Sequence, residues 1–418
     1  MIKEDPNINA KLDASQKYPM LPWGMAWSLA FGQLLSWGTL YYSFTILSAP
    51  IHSSTGWSRE FVNGGLSWGL LMWGVFTVPA GSWVQRQGGR TMMTTASISG
   101  GLALVSMGLV VHPVAYVAAW TVLGISMAGL LYDPAFAVVT TAFRSHYRRG
   151  ITLITLLGGL ASTVYIPLTH LLVQSLGWRR SAIVLGACHI VLGAIIHARA
   201  VPGGPPKTAT LPSACTISPA LRFFAWWRRL RHEAGDRTFL ALALWFSAHT
   251  AAFSGLTFLL VPLHQSTSVD PNDLIAAITL IGPMQVLGRL CLAFNGGKFS
   301  ALNTGMWAMA SVISAALVLI ARPNGFYGLA LFAMLYGIGN GVMTILKGTV
   351  VAELFGRDRY AELNGLLAAP AVIAQAAAPL VLTALWTSTA SPASVTAAVL
   401  LLWLASLSGL LLARVRRA

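Results

Sequence analysis

The sequence predicts an all-α membrane protein with twelve transmembrane helices arranged as two six-helix bundles. The chain of 418 residues is 56% hydrophobic and only 9% charged, whereas soluble globular domains carry roughly 25% charged residues. Its apolar stretches divide into segments of about 20 residues, the length that an α-helix needs to cross a hydrocarbon core. One long polar connection separates the first six segments from the last six. Together these features exclude a water-soluble fold.

The spans are placed wherever an apolar stretch is long enough to cross the membrane. They are predicted at 23–50, 60–82, 91–111, 114–142, 150–174, 181–200, 238–264, 273–294, 300–321, 325–354, 361–387 and 392–413. With both termini in the cytoplasm, most Lys and Arg residues fall in cytoplasmic segments, as the positive-inside rule requires. The basic residues left on the outer side are Arg59, Arg179, Arg180 and Arg322.

The long connection sets the domain boundaries. It opens with a Pro- and Gly-rich stretch that cannot continue a helix. Its residues 222–231 carry aromatic side chains at helical spacing among arginines, a pattern typical of a helix lying on the membrane surface. The predicted organisation is a cytoplasmic tail 1–22, an N-terminal bundle 23–200, a linker 201–237, a C-terminal bundle 238–413 and a tail 414–418.

The two halves show a weak internal repeat. A shift of 212 residues superposes Gly129 on Gly341, Phe143 on Phe355 and Pro167 on Pro379. Such a repeat is typical of two parallel bundles that enclose a binding site near the middle of the membrane.

A glycine- and arginine-rich motif follows the second span. Its residues Gly81, Gln85, Arg86, Gly88 and Arg90 occur in an order that resembles the corresponding loop of the major facilitator superfamily. The resemblance extends over essentially the whole chain and implies a transporter, with this loop helping to lock the cytoplasmic side. Gln85 stands where the family usually has an acidic residue, and glutamine cannot form a charge-assisted pair. A simple tight turn with cytoplasmic arginines is the alternative.

Three charged residues lie inside predicted spans: Asp133 in the fourth, Arg289 in the eighth and Lys347 in the tenth. A charge at the centre of a span costs about 2.5–3.5 kcal/mol, so each is a candidate functional residue. At 1.5 Å per residue they lie roughly 15, 9 and 12 Å from the cytoplasmic face. The alternatives are that Arg289 and Lys347 extend to the membrane surface, or that Asp133 and Lys347 form a purely structural ion pair.

Polar neighbours on the same helices favour a cavity over a lipid-facing surface. Gln285 precedes Arg289 by one turn, while Asn340 and Thr344 precede Lys347 on one face of its helix. Prolines next to these residues, Pro134 and Pro283, are expected to bend their helices and free a carbonyl at the polar layer. Further substrate-binding candidates are Gln33, Trp37, Tyr41, Tyr165 and Gln375, and His249 is a second candidate for proton coupling beside Asp133. For several of these, packing between helices is an equally good interpretation.

The charge balance indicates the substrate. Two cations and one carboxylate leave the layer positive, which favours an anion. Gln285-x-x-Gly288-Arg289 also partly resembles an Asp-x-x-x-Arg element of the monocarboxylate porters, and Lys347 partly resembles the basic residue of the oxalate/formate exchangers. The sequence therefore predicts a proton-coupled secondary transporter of a small organic anion, working by alternating access. Alternatives are a proton-driven exporter of drugs, metabolites or inorganic oxyanions and, with little support from the short loops, a non-transporting sensor.

The expected partners follow from this prediction. They are a small anionic substrate, protons and the lipid bilayer of a plasma membrane, which is the inner membrane if the source is bacterial. No enzymatic motif, metal-ligand spacing, cofactor motif or nucleic-acid partner is indicated. We expect the chain to act as a monomer.

Overall fold

The computed structural model describes residues 23–142, 147–204, 235–265, 270–294, 300–321, 325–355 and 360–415. These residues form α-helices and two π-helical segments, and none of them lies in a β-strand. Within this part of the chain, nine helical stretches are long and apolar enough to cross a membrane. The predicted fold class, an all-α membrane protein, is confirmed.

Helices α1 to α6 occupy the first six predicted spans. Their bounds are α1, Trp23–Ser36, Trp37–Tyr42 and Phe44–Thr55; α2, Arg59–Gln87; α3, Gly89–Leu109; α4, Pro113–Leu130 and Tyr132–Ala142; and α5, Tyr147–Gly159 and the start of Ala161–Cys188. Helix α6 begins after Gly177, whose backbone is not helical (φ 76°). It consists of the remainder of Ala161–Cys188, followed by His189–Gly193 and Ala194–Ala200. The central segment of α1 and the segment His189–Gly193 are π-helical.

Helices α7 to α12 occupy the last six predicted spans. Their bounds are α7, Arg237–Gln265; α8, Pro271–Thr279 and Ile281–Phe294; α9, Ala301–Ile320; α10, Phe326–Phe355; α11, Tyr360–Thr389; and α12, Pro392–Val415. Several helices begin at a polar cap, as Ser58 does for α2 and Asp270 for α8, because a side-chain oxygen accepts an otherwise unpaired backbone N–H there. The predicted surface helix at 222–231 lies outside the described residues.

The turn between α2 and α3 is shorter than the sequence suggested. Helix α2 runs to Gln87, so Gly81, Gln85 and Arg86 are helical rather than part of a loop. The turn consists of Gly88 alone, which has φ 83° and lies against the carbonyl of Gly204. A Cβ at this position would collide with that carbonyl, so only glycine fits both the backbone angle and the contact.

Prolines interrupt helices at the level of the charged residues, as predicted. A proline has no N–H, so the carbonyl four residues before it stays free within its own helix. In α4 the carbonyl of Leu130, freed by Pro134, accepts a hydrogen bond of 2.6 Å from Gln33 Nε2 of α1. In α8 the carbonyl of Thr279, freed by Pro283, accepts a hydrogen bond of 3.0 Å from Thr163 Oγ1 of α5.

A third proline repeats this arrangement in α11. Pro379 frees the carbonyl of Gln375, which accepts a hydrogen bond of 2.9 Å from Ser254 Oγ of α7. Each of these three freed carbonyls is therefore paired with a polar side chain of a neighbouring helix. These side chains satisfy buried backbone groups that lipid cannot satisfy inside a membrane.

The two halves of the chain touch along several helix pairs. Between α1 and α7, Thr45 Oγ1 donates to the carbonyl of Thr257 at 3.3 Å, and the rings of Tyr41 and Phe258 lie 4.7 Å apart. Between α2 and α11, the guanidinium of Arg59 lies 4.1 Å from the centre of the Trp386 ring. Helices α5 and α8 form a third contact through Thr163. Arg289, Asp133 and Lys347, together called the charged layer below, also lie at contacts between the two halves.

Candidate functional site

The candidate site lies where helices of the two halves face each other. A small enclosed chamber of about 20 Å³ occupies this boundary, room for about one water molecule. Residues of both halves line it, among them Tyr42, Thr45, Ser162, Thr257, Gln285 and Tyr336, and the surface they present to the chamber is mostly apolar. Gln285 of this wall accepts a hydrogen bond from Arg289.

Arg289 of α8 is buried, with 5% of its side chain exposed. Its Nη1 donates a short hydrogen bond to the carbonyl of Thr155 on α5, and its Nη2 donates to Gln285 Oε1 at 3.4 Å. Gly159 makes room for the guanidinium, because a Cβ there would collide with Nη1. Arg289 therefore reaches from the C-terminal half into the N-terminal half and does not extend toward a membrane surface.

One donor of Arg289 is left over. Its Nε is buried and has no hydrogen-bond partner among the described residues. The phenol groups of Tyr132 and Tyr42 lie within electrostatic range of the guanidinium. The group is therefore a fixed positive charge with an unused N–H, surrounded by neutral hydroxyl and amide groups.

Asp133 and Lys347 form the second part of the layer. They lie on α4 and α10, in opposite halves, within electrostatic range of one another. Both are surrounded by protein atoms, yet both side chains are exposed. This combination is typical of a crevice that water can enter. Asp133 follows directly on Tyr132, whose phenol group lies within electrostatic range of Arg289.

The polar stripe of α10 continues from Lys347 into the boundary between the halves. Thr344 is exposed and its hydroxyl donates to the carbonyl of Asn340 at 2.9 Å. Asn340 is buried, and its Nδ2 donates to the carbonyl of Tyr336 at 2.9 Å, while its Oδ1 has no partner among the described residues. His249 of α7 is buried within electrostatic range of Lys347, and its Nδ1 is likewise unpartnered in the described part of the chain.

The aromatic residues of α1 pack into a cluster next to Asp133. The ring of Trp37 lies 5.0 Å from Tyr132, 5.1 Å from Tyr41 and 5.7 Å from Trp73. The π-helical turn of α1 carries Trp37 and Tyr41, and such turns are frequent at functional sites. Among the described residues neither Trp37 Nε1 nor the Tyr41 hydroxyl has a hydrogen-bond partner. The cluster is therefore well packed, and these two polar atoms could still form hydrogen bonds with a ligand.

Three other predicted residues have different surroundings. Gln33 is buried and bonded to Leu130, where it holds the break of α4. Tyr165 packs its ring against Gly38 of α1, inside the N-terminal half. Gln375 is half-buried on α11, and its side chain lies within range of the Tyr41 hydroxyl.

The predicted conformational motif holds the end of α6. Arg90 Nε donates to the carbonyl of Val201 at 2.7 Å, and Gly88 lies against Gly204. The start of the predicted linker is therefore fixed to the α2–α3 turn. The side chains of Gln85 and Arg86 lie outside what the structure describes.

Several residues of the site were not predicted from the sequence. Tyr42 and Tyr132 face Arg289, Tyr336 lines the chamber, and Thr155 supplies the carbonyl that Arg289 binds. Tyr132 directly precedes Asp133, and that adjacency was the available signal. For Thr155 no sequence signal exists, because a backbone carbonyl is common to every residue.

Comparison with known proteins identifies related sequences and folds. The sequence profile described as Major Facilitator Superfamily matches residues 29–321. Among solved structures, a point mutant of the nucleoside transporter NupG aligns with a TM-score of 0.72 and 12% identity, covering 94% of this chain and 98% of that one. No curated protein sequence matches the chain.

Two bacterial transporter structures align over similar lengths. A bacterial homologue of the human drug peptide transporters PepT1 and PepT2 has a TM-score of 0.71 and 14% identity, with 94% of this chain and 97% of that one covered. A bacterial homologue of the human lysosomal transporter Spinster, in an inward-facing and unoccupied conformation, has a TM-score of 0.66, 16% identity and the same coverage. At such low identity these likenesses concern the fold alone.

Proposed function

The chain belongs to the major facilitator superfamily, and on that premise we propose that this membrane transporter carries a small organic anion, such as a monocarboxylate, together with a proton. It works by alternating access in the plasma membrane, as a monomer. The single observation that carries the proposal is the composition of the layer between the halves. Arg289 and Lys347 supply two cations there, and Asp133 supplies one carboxylate.

An anion fits this layer for electrostatic reasons. A charge held away from water is costly unless a counter-charge and hydrogen bonds compensate it. Asp133 can balance one of the two cations, so one positive charge is left for the substrate to balance. Arg289 adds an unused Nε–H donor, and Lys347 adds an ammonium group that water can reach. Both are suitable partners for a carboxylate.

Coupling to a proton follows from the same charges. The empty layer carries one net positive charge when Asp133 is ionised. A bound monoanion brings the layer to neutrality, and protonation of Asp133 restores the original charge. The loaded and the empty forms then carry equal charge across the membrane, so proton and anion move together without net charge transfer. Asp133 is suited to this role because its side chain is exposed.

Alternating access requires contacts between the halves that can break and re-form. The hydrogen bonds of Arg289 to Thr155 and of Thr163 to Thr279 both join α8 to α5. An anion that binds the Arg289 guanidinium competes with the Thr155 carbonyl for its donors. Substrate binding would thus weaken one of the contacts that hold the halves in the present arrangement.

A second candidate function is export of an organic cation in exchange for protons. The aromatic cluster of Trp37, Trp73 and Tyr132 beside Asp133 favours it, since aromatic faces and a carboxylate attract cations. Against it, an added cation would raise the positive charge of a layer that already holds Arg289 and Lys347. The anion therefore remains the better-supported substrate.

The test is an uptake panel in proteoliposomes. Radiolabelled lactate, formate and oxalate are offered with and without an inward proton gradient, and a fluorescent organic cation is offered in parallel. We expect at least one anion to accumulate faster with the gradient, and Arg289→Gln and Lys347→Gln to lose that uptake. Arg180→Gln is the matched control, because Arg180 is exposed and remote from the layer. Uptake by the two layer variants at the parental rate, or gradient-driven transport of the cation alone, would refute the proposal.

A further inference from the structure

A second cavity lies at the opposite end of the boundary between the halves. Its volume is about 420 Å³, within the range typical of small-molecule sites. It lies where α1 and α7 approach their ends and α2 begins, whereas Asp133 and Lys347 lie toward the other ends of their helices. The residues that matter for its chemistry are Ser48, His52, Ser53, Arg59, Asn63 and Trp386.

Arg59 supplies a positive charge to this cavity. One face of its guanidinium stacks on Trp386 of α11 at 4.1 Å from the ring centre. Stacking of this kind leaves the N–H groups free, because they point outward in the guanidinium plane. A planar carboxylate can therefore bind the edge of Arg59 while the stack holds the guanidinium in place.

Two buried polar atoms in the cavity wall lack partners. Asn63 and Ser48 are only 5% and 4% exposed, and among the described residues Asn63 Oδ1 and Ser48 Oγ make no hydrogen bond. The other end of the Asn63 amide is fixed, since its Nδ2 donates to the carbonyl of Arg59 at 3.1 Å. Its Oδ1 is therefore a free acceptor, and a ligand that donates a hydrogen bond to it would remove the free-energy cost of about 1–3 kcal/mol of leaving a buried acceptor unpaired.

The nearest acid in the sequence, Glu60, is not among the residues that line the cavity. Glu60 is the next residue to Arg59, but its carboxylate lies within hydrogen-bonding range of the hydroxyls of Thr387 and Ser58. His52 adds a ring to the cavity wall, and its Nδ1 is bonded to the carbonyl of Trp57 at 2.6 Å. The wall thus offers a cation, an acceptor, a hydroxyl and a histidine ring to one small ligand.

We propose that this cavity is a second binding site, separate from the charged layer, for a small carboxylate that also bears a hydroxyl group. The carboxylate binds Arg59, and the hydroxyl donates to Asn63 Oδ1. Arg59 and Trp386 belong to opposite halves, so a ligand bound there stabilises the arrangement in which this end is closed. The proposal does not rest on the transported substrate, because the ligand chemistry follows from the cavity wall alone.

The test measures protection of a cysteine placed at the rim. In a full-length background with Cys188, Cys215 and Cys291 replaced by serine, Ser53→Cys provides an exposed thiol beside the cavity. Its rate of reaction with a hydrophilic thiol reagent is measured in nanodiscs against increasing lactate. We expect saturating lactate to slow labelling at least fivefold, and Arg59→Gln to raise the half-protecting concentration at least tenfold. Arg180→Gln, the matched arginine control, should leave it unchanged.

Propionate tests the hydroxyl contact, because it has the carboxylate of lactate without the hydroxyl. We expect propionate to protect several-fold more weakly than lactate, and Asn63→Ala to remove that difference while keeping weak protection by both. Equal protection by the two acids in the parent would overturn the role of Asn63.

Three results would overturn the site itself: no protection of the parent by lactate, parental protection in Arg59→Gln, or loss of protection in Arg289→Gln instead. The last would assign the effect to the charged layer. Each variant is first checked for monodisperse elution and a melting temperature close to the parent's. The labelling assay requires no transport, so its result can be interpreted even if the uptake panel fails.

Discussion

Arg289 and the pair of Asp133 and Lys347 lie in one polar layer but in opposite physical states. Arg289 is buried and bonded across the boundary to Thr155. Asp133 and Lys347 are exposed and interact through space. Under the proposed mechanism, Arg289 holds the halves together until the anion binds it, while the accessible pair attracts the anion and exchanges protons with water.

The proline breaks show the same contrast. The break in α4 is held by Gln33, which belongs to the same half, whereas the break in α8 is held by Thr163 of the opposite half. Helix α8 is thus bonded to α5 of the opposite half at two points, through Arg289 and through Thr279. The break of α4, in contrast, is bonded only to α1 of its own half. We infer that α8 changes its partners during transport while α4 keeps the Gln33 bond.

The largest expected effect is that of removing the charge of Arg289. Arg289→Gln should lower the initial rate of anion uptake by about 100-fold or more, because it removes the counter-charge and the bond to Thr155. Arg289→Lys should lose about tenfold, since it keeps the charge but not the planar set of donors. Both effects are measured as initial uptake rates divided by the amount of reconstituted protein. Equal rates for the two variants would mean that geometry, rather than charge, is what matters.

Asp133→Asn should abolish the stimulation by a proton gradient. The amide cannot take up a proton, so the gradient has no group through which to act. Exchange of labelled for unlabelled anion without a gradient should continue within about threefold of the parental rate. Gradient stimulation that survives in Asp133→Asn but disappears in His249→Gln would transfer the coupling role to His249.

Lys347→Gln should act on affinity more than on turnover. We expect KM for the anion to rise about tenfold, equivalent to about 1.4 kcal/mol of binding free energy, with the maximal rate within about threefold of the parent. The double variant Asp133→Asn with Lys347→Gln should recover part of the lost affinity, since neither charge is then left alone. Strict additivity of the two changes in free energy would show that the residues do not interact.

The smallest effects distinguish the two proline breaks. Gln33→Leu leaves the carbonyl of Leu130 unpaired and should cost about 1–3 kcal/mol in stability, measured as a lower melting temperature, with transport per folded molecule little changed. Thr163→Val removes the corresponding bond to Thr279 across the boundary. It should alter the uptake rate by a few-fold at a similar stability cost. The reverse pattern would place the moving contact in α4.

The sequence predicts the fold class well because it follows from composition and spacing. Apolar length locates the helices, and the cost of burying charge singles out Asp133, Arg289 and Lys347. The effect of proline on backbone bonding likewise predicts the breaks next to Pro134 and Pro283, which the structure confirms. Each of these inferences uses only local information.

The contacts of the individual side chains could not be predicted in the same way. The stripe of Gln33, Trp37 and Tyr41 assumes a regular α-helix, yet residues 37–42 are π-helical, and the wider turn shifts the later residues around the helix. Gln33, in the regular part of the helix, bonds to Leu130, while Trp37 and Tyr41 of the π-helical turn join the aromatic cluster. The rotation of one helix against another depends on the packing of the whole bundle, which no single segment encodes.

The hydroxyl of Thr163 has a consequence for the kinetics. When the halves separate at α5 and α8, the carbonyl of Thr279 loses its partner in a region where lipid offers no replacement. A water molecule must then enter to solvate it before the opposite opening can form. Transport would thus include a hydration step, and solutes that lower the activity of water should slow turnover even when substrate and proton gradients are held constant.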